Sequence, residues 1–100
     1  MFIYHIVLPE VWDRSRNERL YRHESLAAEG FIHCSYEEQL DGVIGRYYAD
    51  AEELVILTID TDKLAARLVA EPSTGGETYP HIYGPLNLTA VVDTEVRKLG

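Results

Sequence analysis

Residues 54–59 read LVILTI. A strand with one wet face would alternate apolar and polar side chains, and this run does not. It is also too short for an ordinary buried helix, so it reads as a strand buried on both faces. A chain of 100 residues hides about two thirds of its unfolded surface on folding, enough for one core and therefore one domain, 1–100.

The remaining pattern is read around that strand. FIYHIVL (2–8) is β-branched and aromatic, as strands are. Pro9 and Glu10 then suit a helix start, with the helix running to about Asn17. Ser25 is expected to cap a brief LAAE turn that Gly30 ends, and Phe31–Cys34 to form a second strand. Ser35 and Glu38 have capping-box spacing. Tyr36, Leu40, Val43, Ile44 and Tyr47 follow at helical spacing on one face. Asp60 or Thr61 caps a single turn around Lys63–Ala66, Leu68–Glu71 is a short strand, and 72–78 is a loop. Tyr79–Tyr83 is extended and closed by Gly84 and Pro85, and Thr89–Val96 is the last strand. About six strands and two or three short helices, helices first, predict an α+β fold with a mostly antiparallel, split sheet.

Charge narrows the partners. The net charge is −8, whereas nucleic-acid binding draws on a basic face; long nucleic acid is not the expected ligand. The basic side chains gather in RSRNERLYR (14–22), where Arg14, Arg16, Arg19 and Arg22 form either a solvated face or a local anion site. Cys34 is the only cysteine, so no disulfide forms within the chain, which fits a reducing compartment. No apolar run reaches about 18 residues and the N-terminus lacks the marks of a signal peptide, so the expectation is a cytoplasmic protein with no membrane span.

Three of the four histidines interrupt apolar runs: His5 in FIYHIVL, His33 in GFIHCS and His81 in YPHIYGPL. Strand alternation puts His5 with Ile3 and Val7, His33 with Phe31, and His81 with Tyr79 and Tyr83. If the strands are neighbours, His5 and His33 line one cleft with the Tyr79/His81/Tyr83 face nearby. Three chemistries compete, beside the plainer alternative that each ring satisfies its own nitrogens in the core. One is a metal site of the three histidines, with or without Cys34; it has no paired ligand spacing, and His33 and Cys34 point to opposite faces. One is nucleophilic catalysis by Cys34, which more simply reads as a small buried apolar residue. The third is a cleft whose histidines and tyrosines bond and stack on a ligand, with Trp12 and Tyr21 as further stacking surface. His23, in YRHES, is expected to be exposed.

IYHIV (3–7), Trp12, SLAAEGFIHCS (25–35), Gln39, LVILTID (54–60) and YPHIYGPLNLTAVV (79–92) together resemble the small bacterial domain-of-unknown-function family 952. That family is similar to a compact ADP-ribosyltransferase-like fold, grouped near the RNA 2′-phosphotransferases. The resemblance implies a split sheet that holds NAD, as a co-substrate, in a cleft lined by three motifs. The first motif position matches His5. The second matches His33, with Ser35 beside it. The third falls in PHIYG, where His81, Ile82 and Tyr83 stand in place of the glutamate of the classical transferases. The implied catalytic set is His5, His33, His81 and Tyr83; Tyr4, Trp12, Ser35 and Tyr79 would contact the nucleotide. The implied function is binding NAD or a related nucleotide and transferring or releasing ADP-ribose. A non-catalytic nucleotide-binding module is the alternative, and a metal-binding protein using His5, His33 and His81 a third.

Overall fold

The computed structural model describes residues 1–99. The chain runs β1 (Phe2–Val7), α1 (Pro9–Ser15), β2 (Leu20–Tyr21), α2 (Glu24–Glu29), β3 (Ile32–His33), α3 (Leu40–Tyr47), β4 (Glu53–Asp60), β5 (Arg67–Pro72), β6 (Thr78–Tyr83), β7 (Leu86–Asn87) and β8 (Val91–Lys98). All strand pairings are antiparallel, in sheets ordered β1-β4-β8, β3-β6-β5 and β2-β7. The α+β class and the antiparallel arrangement are therefore as the sequence reads, with three short α-helices among the described residues.

The run LVILTI is continuous because β4 is covered twice. It is the middle strand of its sheet. Val55, Leu57 and Ile59 join Ile3 and Val7 of β1 and pack against Ile32 and Cys34 from β3 and its exit, Ile82 of β6 and Leu86 of β7. Leu54 and Ile56 point the other way, with Ile6, onto Leu40 and Ile44 of α3. Each fully buried Leu or Ile of this kind contributes roughly 1.5–3 kcal/mol.

The two three-stranded sheets are joined by one rung. The Tyr4 N–H donates to the Ser35 carbonyl at 2.8 Å and the Ser35 N–H to the Tyr4 carbonyl at 2.7 Å, and the ladder stops there. This is the split.

Several local expectations shift. The α2 cap is His23, whose Nδ1 accepts the Ser25 N–H at 3.2 Å; Ser25 lies buried one residue inside the helix. Gly30 ends α2 at φ 87°, as expected. The turn leading into α3 is closed at Tyr36, whose N–H donates to Gln39 Oε1 at 3.0 Å, so Ser35 and Glu38 form no capping box; Ser35 is spent on the rung to Tyr4. The turn after β4 spans Thr61–Lys63 and is capped by Asp60, whose Oδ1 accepts the Asp62 N–H at 3.0 Å. Gly84 closes β6 at φ 149°, where a Cβ would lie 3.0 Å from that of Ala66. Among the described residues no helix is long and apolar enough to cross a membrane.

Candidate functional site

A cleft of about 490 Å³ opens beside the single rung. Its floor is β1 and the exit of β3, through His5, Ile6, His33, Cys34 and Ser35. One wall is His23 and Glu29, at the two ends of α2. The opposite wall is the C-terminal half of α3 with Tyr48, together with Ser73 and Tyr79.

His5 is 2% exposed and both its nitrogens are engaged. Nδ1 lies 2.7 Å from the His33 carbonyl oxygen, which only accepts, so Nδ1 carries the proton. Nε2 is then a bare lone pair and accepts the Tyr21 hydroxyl at 2.8 Å. Burial, only partly offset by the bond to His33, lowers the His5 pKa to about 3. Burial likewise raises that of Tyr21, so the hydroxyl keeps the proton it donates. His5 is a neutral strut across the fork, and it does not offer a nitrogen to a ligand.

His23 stands edge-on to His5, ring centroids 5.1 Å apart. Its Nδ1 is the α2 cap, which puts the ring proton on Nε2; burial lowers its pKa, opposed in part by Glu24. His33 is half exposed, and its Nε2–H donates to the Glu29 carboxylate, also half exposed. The guanidinium of Arg46 on α3 lies 3.5 Å from the Tyr79 hydroxyl and 5.8 Å above the Tyr47 ring. The cleft therefore holds a carboxylate–histidine pair, a guanidinium and three tyrosine rings, those of Tyr47, Tyr48 and Tyr79. That set suits a ligand with an aromatic base and a negative charge. Cys34 is buried, and burial pushes its thiol pKa up, which removes the thiolate that nucleophilic catalysis would need.

Of the residues singled out in the sequence, His5, His33, Cys34, Ser35 and Tyr79 meet in this cleft. His81 and Tyr83 do not line it. They stand on the outer face of the β3-β6-β5 sheet, where His81 lies directly across from His33 and its ring touches that of His33. Tyr4 points to the other side of β1, against the α3 cluster, and Trp12 packs on the core 6.0 Å from the Tyr21 ring. None of Arg14, Arg16, Arg19 and Arg22 reaches the cleft, where the cation is Arg46. Among the described residues no three His, Cys, Asp or Glu side chains converge as metal ligands, so His5, His33 and His81 are not such a set. His23, Glu29, Arg46, Tyr47, Tyr48 and Ser73 are the polar lining residues that sequence reasoning missed. Helical spacing puts Tyr47 on the apolar face of α3, and the ring is instead 59% exposed. The only sequence signal for His23 is its place two residues before Ser25 at a helix start.

The fold and cleft define a small α+β protein of two linked antiparallel sheets with a polar, aromatic fork between them. The chain belongs to the family described as "Protein of unknown function (DUF952)", whose model matches residues 6–94. The crystal structure of protein CC0527 from Caulobacter crescentus is similar to it with a TM-score of 0.89 and 29% identity, over 100% of this chain and 89% of that one. The solution NMR structure of CC0527 gives a TM-score of 0.84 and 29% identity, over 99% and 86%. None of the curated proteins compared matches the chain.

Proposed function

We propose that the fork is an ADP-ribosyltransferase-like cleft that binds NAD or a related ADP-ribose compound and releases or transfers the ADP-ribosyl group. The observation that carries this reading is the cleft itself. It lies where two antiparallel sheets share one rung, and it gathers His5 of the first motif, His33 and Ser35 of the second, and Tyr79 beside the third. Its volume of about 490 Å³ falls in the range of small-molecule sites.

The roles follow from the chemistry of each lining group. Arg46 meets the pyrophosphate, as a guanidinium suits phosphate oxygens. Tyr47 and Tyr79 supply ring surface for the nicotinamide. β6 offers no glutamate, and the carboxylate in the cleft is Glu29, held by His33. Breaking the bond between the ribose C1′ and the nicotinamide nitrogen sends the bonding pair to nicotinamide and leaves an oxocarbenium-like ribose. A carboxylate fixed nearby stabilises that positive charge, and water or an acceptor hydroxyl then adds at C1′ and gives up its proton. His5 keeps the fork in register and does not touch the ligand.

A non-catalytic binding module is the second reading, favoured by the bonding of both His5 nitrogens within the protein. One sample separates the two: NAD binding by calorimetry and nicotinamide release by chromatography. Binding with release, both lost in Arg46→Ala and release lost in Glu29→Gln, supports the enzyme. Binding without release supports the module. No binding at millimolar NAD refutes both as readings of an NAD site.

A further inference from the structure

The outer face of the β3-β6-β5 sheet carries a second polar cluster that the cleft does not use. His81 is buried, 4% exposed, and its Nδ1–H donates to Glu71 Oε1 at 2.9 Å. The Tyr83 hydroxyl donates to the same oxygen. Phe31 stacks flat on the His81 ring, centroids 4.1 Å apart. With its proton on Nδ1, His81 presents a bare lone pair at Nε2, and among the described residues nothing bonds to it. A buried acceptor without a partner is unfavourable, and a group of this kind calls for a bound water or ion.

The geometry points to a divalent-cation site of the zinc class, with His81 Nε2 and His33 Nδ1 as its two protein ligands. Glu71 and Glu29 hold the opposite nitrogens of the same rings. His33 and His81 face each other across the strand pair. The Cys34 N–H donates to the Pro80 carbonyl, so 34/80 is the hydrogen-bonded position and 33/81 the non-bonded one, where side chains come closest. Two imidazoles sharing a tetrahedral zinc at the usual bond length have centroids about 5 Å apart. The His33 and His81 centroids are 5.2 Å apart.

The outer groups also match. A metal-ligating histidine characteristically gives its other N–H to a carboxylate, which fixes the tautomer and raises the basicity of the ligating nitrogen. Both histidines here do so, to Glu71 and to Glu29. Two negative carboxylates beside an apolar Phe31 cover favour a cation over a neutral water. Two protein nitrogens leave the ion's remaining positions to water on the side of His33, whose ring is half exposed. Imidazole ligands suit zinc, copper and nickel among divalent ions.

The site stands independently of the nucleotide reading and is tested without nucleotide. One equivalent of Zn²⁺ is added to the tag-free chain, and the histidine ring nitrogens are followed by long-range proton–nitrogen NMR, with affinity from calorimetry. The expected result is movement of the His81 Nε2 and His33 Nδ1 resonances while those of His5 and His23 stay in place. His81→Gln is expected to abolish binding. Glu71→Gln keeps both ligands and is expected to weaken binding about 10- to 100-fold, the usual effect of losing an orienting carboxylate. Unmoved His81 resonances, or full affinity in His81→Gln, would overturn the site and leave Nε2 to a water. Because His81 lies outside the cleft, NAD binding is expected to survive His81→Gln, so the two readings fail separately.

Discussion

Tyr21→Phe removes one oxygen from the core and tests the account of His5 directly. Tyr21 is fully buried, and its hydroxyl donates to His5 Nε2 at 2.8 Å. Phenylalanine fills the same ring volume, so no cavity term arises. What remains is a lone pair on a ring 2% exposed, with no donor. The ring cannot turn to find one, because Nδ1–H is held by the His33 carbonyl at 2.7 Å. Nor does it take a proton at neutral pH, because burial keeps its pKa at about 3. A buried acceptor stripped of its partner costs about 1–3 kcal/mol. For a chain of this length each 1 kcal/mol lowers Tm by about 4–8 °C. Urea unfolding at pH 7.5 is expected to show a lower midpoint with unchanged slope, since the folded surface is the same. In a His5→Leu background the same substitution is expected to cost almost nothing, giving a coupling of about 1–3 kcal/mol in the double-mutant cycle. A loss below about 0.5 kcal/mol, the range of ordinary surface changes, would refute the reasoning: Nε2 would then have another donor.

Acid tests the same residue from another side. An unfolded chain protonates His5 below its ordinary value of 6.5, and the folded chain does not until about 3. Between those values the unfolded state binds more protons, so the His5 contribution to stability falls as pH falls, by about 1.4 kcal/mol per pH unit; subtracting the pH profile of His5→Leu from that of the wild type isolates it. Cys34, buried and with its thiol pKa raised, is expected to react with a thiol reagent at the rate of global unfolding, and rapid labelling of the native chain would contradict its place in the core.

What the sequence discloses depends on how local the cause is. LVILTI could be read because a strand covered on both faces is apolar at nearly every position, Thr58 being the exception. Gly30 and Gly84 could be read because a positive φ leaves little choice of residue. Parity along strands correctly put His33 with Phe31, and His81 with Tyr79 and Tyr83. Parity says nothing about which faces meet. His5 points into the core between the sheets, while the His33 and His81 side chains stand on the outer face of theirs, and only the fork brings His5 and His33 to one cleft. The two-residue strands β2 and β7 carry no local pattern, because their pairing, Tyr21 with Leu86, is made by distant parts of the chain. The arginine cluster at 14–22 drew attention by composition, yet position decides which cation counts, and Arg46 reaches the cleft from α3.

His5 and His33 border the same cleft and do different work there, and substitutions can tell a strut from a contact. His33 is half exposed, and its ring is tied to Glu29 on the surface. His33→Ala is therefore expected to change stability by no more than about 0.5 kcal/mol while loosening Glu29 and weakening whatever the cleft binds. His5→Ala empties a buried site and leaves both the His33 carbonyl and the Tyr21 hydroxyl without partners. Large-to-small changes in cores cost about 2–5 kcal/mol, and the two orphaned groups place this one toward the upper end. His5→Gln keeps an amide that can donate to one group and accept from the other. It is expected to recover part of the stability and, with the fork held, the ligand affinity. If His5→Gln is as stable as the wild type but blind to ligand, His5 touches the ligand directly and the strut account is wrong. If His33→Ala unfolds the chain, the half-exposed ring is holding the sheets together, and the division of labour between the two histidines must be reversed.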